Sequence, residues 1–291
     1  MVSSTVQTYD IDIEDVEYLR HGDKPLMATV YKPKGTGPFP IMVELHGGAW
    51  TRGDRFNDSV LNEALARRGV VVVALDFRMP PDAAYPGSFA DIHYGIRWCK
   101  TQAKSWGSRP DAIGAMGSSS GAHQAMLLGM RPNDPRYAAL PMPAGAAAVD
   151  GRLGCVVLCS PVIDPLGRYQ YAKGLRQDCT PPEGFGERVV PSHDEYWQTE
   201  AAMAEGAPAR ILAGGEKTEL PPVLFLARDH ETSHPTPDRG EFVKQYRQAG
   251  GHVELSIFEG EGDGFLTKNL STPKAQQAFE QLLAFVHQHL D

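Results

Sequence analysis

Six apolar, β-rich runs recur along this chain: "PIMVELHGG" (40–48), "VVVVALDF" (70–77), "AIGAMGSS" (112–119), "LGCVVLCSP" (153–161), "PPVLFLA" (221–227) and "HVELSIF" (252–258). Among them lie segments with helical spacing, "DSVLNEALARRG", "FADIHYGIRWCKTQAKSWG", "GAHQAMLLGM" and "RGEFVKQYRQAGG", several closed by a glycine that stops the helix. A strand that is apolar at nearly every position must be buried on both faces, and helices packed on both sides of a parallel sheet provide that burial. The pattern therefore predicts an α/β fold with a mostly parallel central sheet. Ahead of it, "IDIEDVEYLR" and "MATVYKP" read as an antiparallel edge pair with a polar face. Residues 164–219 break the rhythm with many Gly, Pro and aromatic residues and no clear strand, and are expected to form a cap inserted in a single domain spanning 1–291.

Composition narrows the partners. A net charge of −8 argues against nucleic acid and anionic membrane. Cys99, Cys155, Cys159 and Cys179 lack paired metal-site spacing, and two of them sit inside an apolar run as small hydrophobes. No run approaches about 18 apolar residues and the N-terminus lacks a basic segment followed by an apolar one, so neither a membrane span nor a signal peptide is expected. A cytoplasmic location follows as the expectation. No phosphate loop or dinucleotide fingerprint is present; no cofactor and no metal are expected.

Two motifs carry chemistry. "GSSSG", Gly117 to Gly121, lies between a predicted strand and a predicted helix, where small flanking residues allow a sharp turn that exposes the central hydroxyl, Ser119, at the helix N-terminus. "HGGAW", His46 to Trp50, follows the "IMVEL" run. The adjacent glycines Gly47 and Gly48 leave backbone N–H groups unobstructed, and with the N–H of Ser120 they form a candidate hole for a developing oxyanion.

In this order and about 70 residues apart, the two motifs resemble those of the α/β-hydrolase fold, and in particular of the hormone-sensitive-lipase-like carboxylesterases. The likeness extends from "HGGAW" through "YPGSFADIHYGIRWCK" and "GAHQA" to the C-terminal helix "AQQAFEQLLAFVHQHL". It implies a serine esterase working through an acyl-enzyme on a small apolar ester, with a small-molecule substrate as partner and a homodimer as the assembly to test. It places the triad acid in "LARDHETSHP" (226–235), at Glu231, with Asp229 as the alternative. It also gives His123 a structural place on the helix after Ser119, and offers the aromatic residues Trp50, Tyr169, Tyr171, Phe185, Tyr196 and Trp197 either as substrate-pocket lining or as packing.

At one position the chain departs from the family. The turn that carries the family's histidine reads "GDGF" here, so Asp263 stands where the general base is expected. Carboxylates ionise near 3.9 and imidazole near 6.5, so Asp263 is poorly matched to carrying the serine proton at neutral pH, and impaired hydrolysis is the expectation. A partner carboxylate at Glu231 would raise the affinity of the pair for a proton. Among His193, His230, His234 and His252, the best placed substitute base is His234. A lyase or dehydratase using Asp263 as base, or a ligand-binding protein on the same fold, remains the alternative.

Overall fold

In the computed structural model, which describes residues 7–178, 184–231, 233–234, 236–262 and 264–291, all six apolar runs are strands of one sheet. They are β3 (Ile41–Leu45), β4 (Val71–Leu75), β5 (Ile113–Ser118), β6 (Val156–Cys159), β7 (Val223–Arg228) and β8 (Val253–Phe258), preceded by the hairpin β1 (Ile11–His21) and β2 (Lys24–Pro33). Their spatial order is β1-β2-β4-β3-β5-β6-β7-β8. β1, β2 and β4 pair antiparallel, and every pairing from β4 through β8 is parallel.

Alternate residues of each inner strand feed two separate cores. Ile41, Val43, Leu45, Val71 and Val73 join the core on one face of the sheet, while Met42, Val72 and Ala74 join the core on the other. This period of two explains why the strands are apolar at every position. The outer strand β1 shows mostly exposed residues, in keeping with its alternating charges. The helices α1 (Ser59–Arg67), α2 (Gly87–Gln102), α3 (Ser120–Met130), α8 (Thr236–Gln248) and α9 (Pro273–Leu290) surround the sheet. Every residue of α3 is buried, because the sheet lies on one side and other helices cover the rest.

The segment expected to form a cap without strands holds four helices among the described residues: α4 (Pro165–Asp178), α5 (Phe185–Trp197), α6 (Glu200–Glu205) and α7 (Pro208–Ala213). Local chemistry sets their ends. Thr199 caps α6 by accepting a hydrogen bond from the Ala202 amide, and Pro208 opens α7 at a position where a missing N–H costs nothing. Pro191 inside α5 obscured its periodicity in the sequence.

The fold decides where chemistry can occur. The chain runs from β3 outward to β4 on one side and returns to β5 on the other. Such a reversal opens a crevice at the carboxyl ends of the two strands between which it happens. "HGGAW" leaves β3 and "GSSSG" leaves β5, so both motifs open onto that crevice.

Candidate active site

Ser119 joins β5 to α3 with φ +50° and ψ −110°, a conformation that a non-glycine residue holds only when its surroundings impose it. Hydrogen bonds from the Ser119 amide to the Cys159 carbonyl, and from the His123 and Val162 amides to the Ser119 carbonyl, impose it here. The flanking glycines are required by contact. A Cβ on Gly121 would lie 1.9 Å from the Leu45 carbonyl oxygen, and one on Gly117 would lie 2.6 Å from the same atom. The elbow is therefore pressed against the end of β3. A Cβ on Gly47 would lie 3.4 Å from that of Ser119, which brings the loop after β3 beside the nucleophile position. Gly48 has φ +123°, and a side chain there would collide with the Arg52 carbonyl. Ser120 is the first residue of α3, so its amide has no acceptor within the helix. Gly47, Gly48 and Ser119 line one cavity of about 490 Å³.

The side chain that meets Ser119 is a histidine. His234 Nε2 lies 3.2 Å from Ser119 Oγ, and His234 Nδ1 lies 3.2 Å from Glu231 Oε2. Glu231 also accepts from Ser160 Oγ (2.6 Å), from the Arg228 amide (2.9 Å) and from the Arg228 guanidinium (3.0 Å). Burial opposes its ionisation, but the hydrogen bonds and the charge of His234 outweigh it and hold the carboxyl at about 2. An ionised carboxylate only accepts, so Nδ1 carries the imidazole proton and Nε2 is left to accept from the Ser119 hydroxyl. Burial lowers the affinity of His234 for a second proton, Arg168 and Arg228 lower it further, and Glu231 opposes them.

The neighbouring hydroxyl is engaged elsewhere. Ser118 Oγ donates to Asp58 Oδ2 at 3.0 Å, and burial pushes the Asp58 carboxyl up. Of the serines in "GSSSG", Ser119 is thus the one that faces an imidazole.

The expected residues divide clearly. Gly47, Gly48 and Ser119 line one cavity with Ser120 next in the chain, and of the two acid candidates Glu231 is the one that contacts the histidine. Asp229 accepts from the Gly260 amide and pairs with the exposed His230 instead. Asp263 lies outside the described residues. The imidazole next to Ser119 is that of His234, whereas the sequence puts Asp263 where the general base is expected.

The aromatic candidates need correction. Trp50, Tyr196 and Trp197 do not line the cavity; each is at most 2% exposed. Trp50 stacks on Tyr196 and meets Trp197 edge-on, so the rings satisfy one another and lock α5 onto the loop after β3. Trp50 Nε1 donates to His123 Nδ1 at 3.2 Å. His123 Nε2 therefore carries its proton and donates to the Gly206 carbonyl at 2.8 Å, fixing a neutral ring that burial holds at about 4. His123 is structural. His193 is buried against the Val189 carbonyl, and His252 pairs with exposed Glu254.

Sequence reasoning missed Ser160, whose φ is +45° and whose hydroxyl holds Glu231, and it missed the cations around the cavity, Arg52, Arg168 and Arg188. Nothing in periodicity marks such an arginine as facing a site.

A parallel sheet carrying a serine elbow, a glycine loop beside it and a His–Glu pair after the next-to-last strand defines an α/β hydrolase. Comparison with known proteins agrees. The BD-FAE family matches residues 28–152. Esterase LipC of Mycobacterium tuberculosis is 27% identical over 282 residues, covering 92% of this chain and 64% of LipC. Isoprenylcysteine alpha-carbonyl methylesterase ICME of Arabidopsis thaliana is 34% identical over 273 residues, covering 92% of this chain and 61% of that protein. The structure of the butyrate-bound thermophilic esterase Est2 of Thermogutta terrifontis superposes with a TM-score of 0.70 at 25% identity, covering 95% of this chain and 94% of that one. The chain has the α/β-hydrolase fold and is similar to esterases over most of its length. It spans a little under two thirds of the length of the curated relatives named here. Among the described residues, no helix is long and apolar enough to cross a membrane.

Proposed function

We propose that this chain hydrolyses small-molecule carboxylic esters through an acyl-enzyme on Ser119, with His234 as the general base and Glu231 as the acid that orients it. The observation that carries this reading is the continuous contact from Ser119 Oγ to His234 Nε2 and from His234 Nδ1 to Glu231, each 3.2 Å. As the Ser119 oxygen attacks the ester carbonyl, Nε2 takes its proton and Glu231 stabilises the imidazolium. The backbone N–H groups of Gly47 or Gly48 and of Ser120 receive the charge that moves onto the carbonyl oxygen. The imidazolium then returns its proton to the departing alcohol, and a water activated by the same nitrogen releases the acid.

In this reading the triad runs Ser, Glu, His along the chain with only two residues between the last two members, and Asp263 is not required as a base. Impaired catalysis is not part of the proposal, because the imidazole is supplied from the acid's own loop. A cytoplasmic location is kept as part of the reading. A lyase or a binding protein on this fold would have no need of a serine hydroxyl held against an oriented imidazole.

The test is hydrolysis of para-nitrophenyl acetate and butyrate by the intact chain and by Ser119→Ala, together with intact mass after treatment with a fluorophosphonate. Turnover well above the Ser119→Ala blank and a phosphonyl adduct on Ser119 are expected. Rates equal to that blank and an unlabelled Ser119 would overturn the proposal.

A further inference from the structure

The cavity above Ser119 is unusual in its charge. The chain as a whole carries 36 Asp and Glu against 28 Lys and Arg, yet Arg52, Arg168, Arg188, Arg228 and Lys268 all line this cavity. Arg228 is bonded to Glu231. Among the described residues, Arg52, Arg168 and Arg188 form no ion pair, whereas elsewhere Arg55, Arg131 and Arg136 each bridge two carboxylates. Asp58, the one carboxyl on this wall among the described residues, is pushed toward its neutral form by burial.

Arg168 is the most telling of the three. It is 4% exposed, its Nε donates to the Ser233 carbonyl at 2.8 Å beside His234, and its Cζ lies over the Phe185 ring, 5.5 Å from the centroid. Its Nη1 is buried with no hydrogen-bond partner among the described residues. Burial, with Arg188 and Arg52 adding repulsion, brings its proton affinity down to about 9. Proteins rarely bury a guanidinium beside two like charges and leave one of its nitrogens empty, since each of these features costs stability. The usual compensation is an anion, and the planar fork of arginine fits a carboxylate in particular. Arg52 presses its stem against Gly48, so the positive wall reaches the loop next to the elbow.

We propose that the site takes esters that also carry a carboxylate, such as the half-esters of dicarboxylic acids, and that Arg168 and Arg188, with Arg52, receive that carboxylate while Ser119 attacks the ester carbonyl. The proposal rests on the hydrolytic reading above and narrows it: the expectation of an apolar ester gives way to an anionic one. Trp50, Tyr196 and Trp197, offered as lining of an apolar pocket, are buried in the core, and arginines line the cavity instead.

The experiment compares monoethyl succinate with ethyl pentanoate, a neutral ester of similar length, followed by proton release at constant pH. The ratio of their kcat/KM values is expected to favour the half-ester by at least about tenfold at low salt and to shrink as salt screens the arginines. Arg188→Gln, an exposed position, should move the ratio toward one chiefly through KM, and Arg168→Gln should do so further if it folds. In parallel, succinate binding to Ser119→Ala is measured by calorimetry, with and without Arg188→Gln. If neither ester is hydrolysed, the hydrolytic reading fails, and succinate binding that Arg188→Gln abolishes still upholds the anion site. A ratio at or below one that Arg188→Gln leaves unchanged, with no succinate binding, overturns the proposal while leaving esterase activity intact.

Discussion

Replacing Glu231 by glutamine changes one atom pair and should be felt in two independent ways. The carboxylate accepts four hydrogen bonds, from Ser160, twice from Arg228 and from His234. These hold it at about 2, against 4.5 for an ordinary glutamate. At about 1.36 kcal/mol per pH unit, that difference contributes about 3 kcal/mol to folding. A carboxyl whose affinity for protons falls on folding stabilises the native state above its unfolded value, so the contribution is complete above pH 4.5 and disappears as the pH falls toward 2. Urea unfolding at pH 7 should therefore find Glu231→Gln about 3 kcal/mol less stable, and the two proteins should converge only as the pH falls toward 2. Catalysis should suffer separately. Glutamine donates as readily as it accepts, so it can turn the imidazole to the tautomer whose Nε2 bears the proton. The corresponding change in serine proteases lowers kcat about 10⁴-fold, which is about 5 kcal/mol of barrier. Stability unaltered at pH 7, together with kcat within threefold of the parent, would show that Glu231 neither holds the imidazole nor anchors the loop, and the reasoning would be refuted.

Three further outcomes follow from the geometry. Gly121→Ala should abolish native expression or lower stability by more than about 3 kcal/mol, since its Cβ would stand 1.9 Å from the Leu45 carbonyl; a denaturation midpoint near that of the parent would contradict the close approach of the elbow to β3. Trp50→Ala should cost about 3 to 5 kcal/mol in urea unfolding, as expected for a buried ring packed against Tyr196, Trp197 and His123, and a cost below 1 kcal/mol would return Trp50 to the list of solvent-facing residues. In the pH dependence of kcat/KM, the acid limb should have its midpoint below 6.5, because burial, Arg168 and Arg228 disfavour the protonated form of His234 and a base must be neutral to act; a midpoint above 7 would mean that another group titrates.

The strands were legible because a sheet buried on both faces demands apolar residues at every position, and each of the six runs supplies them. The elbow and the glycine loop were legible for a related reason: backbone contacts as close as that of Gly121 with Leu45 permit only glycine, so the constraint is written in residue type. The helices between β6 and β7 were hidden because Pro191, Pro208 and several glycines break a periodicity that packing against the core nevertheless enforces. The histidine was harder. A general base is defined by where its nitrogen arrives, and "EGDGF" set an expectation about position that drew attention to the turn after β8. The signal that pointed to His234 was its place three positions after Glu231, since a bond from the His234 amide to the Glu231 carbonyl returns the imidazole to the carboxylate it follows. The aromatic residues misled for the opposite reason: bulk and an insertion between strands suggest a pocket, whereas the rings of Trp50, Tyr196 and Trp197 find enough partners in each other to form core. Arg52, Arg168 and Arg188 carry no local pattern at all, and what distinguishes them from solvated surface is that they form no ion pair among the described residues.

The central claim is that the proton carrier for Ser119 is His234, and it is tested most directly by the rate of fluorophosphonate labelling of Ser119 in three proteins side by side: the parent, His234→Gln and Asp263→Asn, each checked for native circular dichroism. The reagent reports serine activation without regard to substrate preference. The account predicts that His234→Gln slows labelling at least about 10³-fold, as loss of a triad base does, and that Asp263→Asn stays within tenfold of the parent. Labelling that survives His234→Gln but collapses in Asp263→Asn would contradict it.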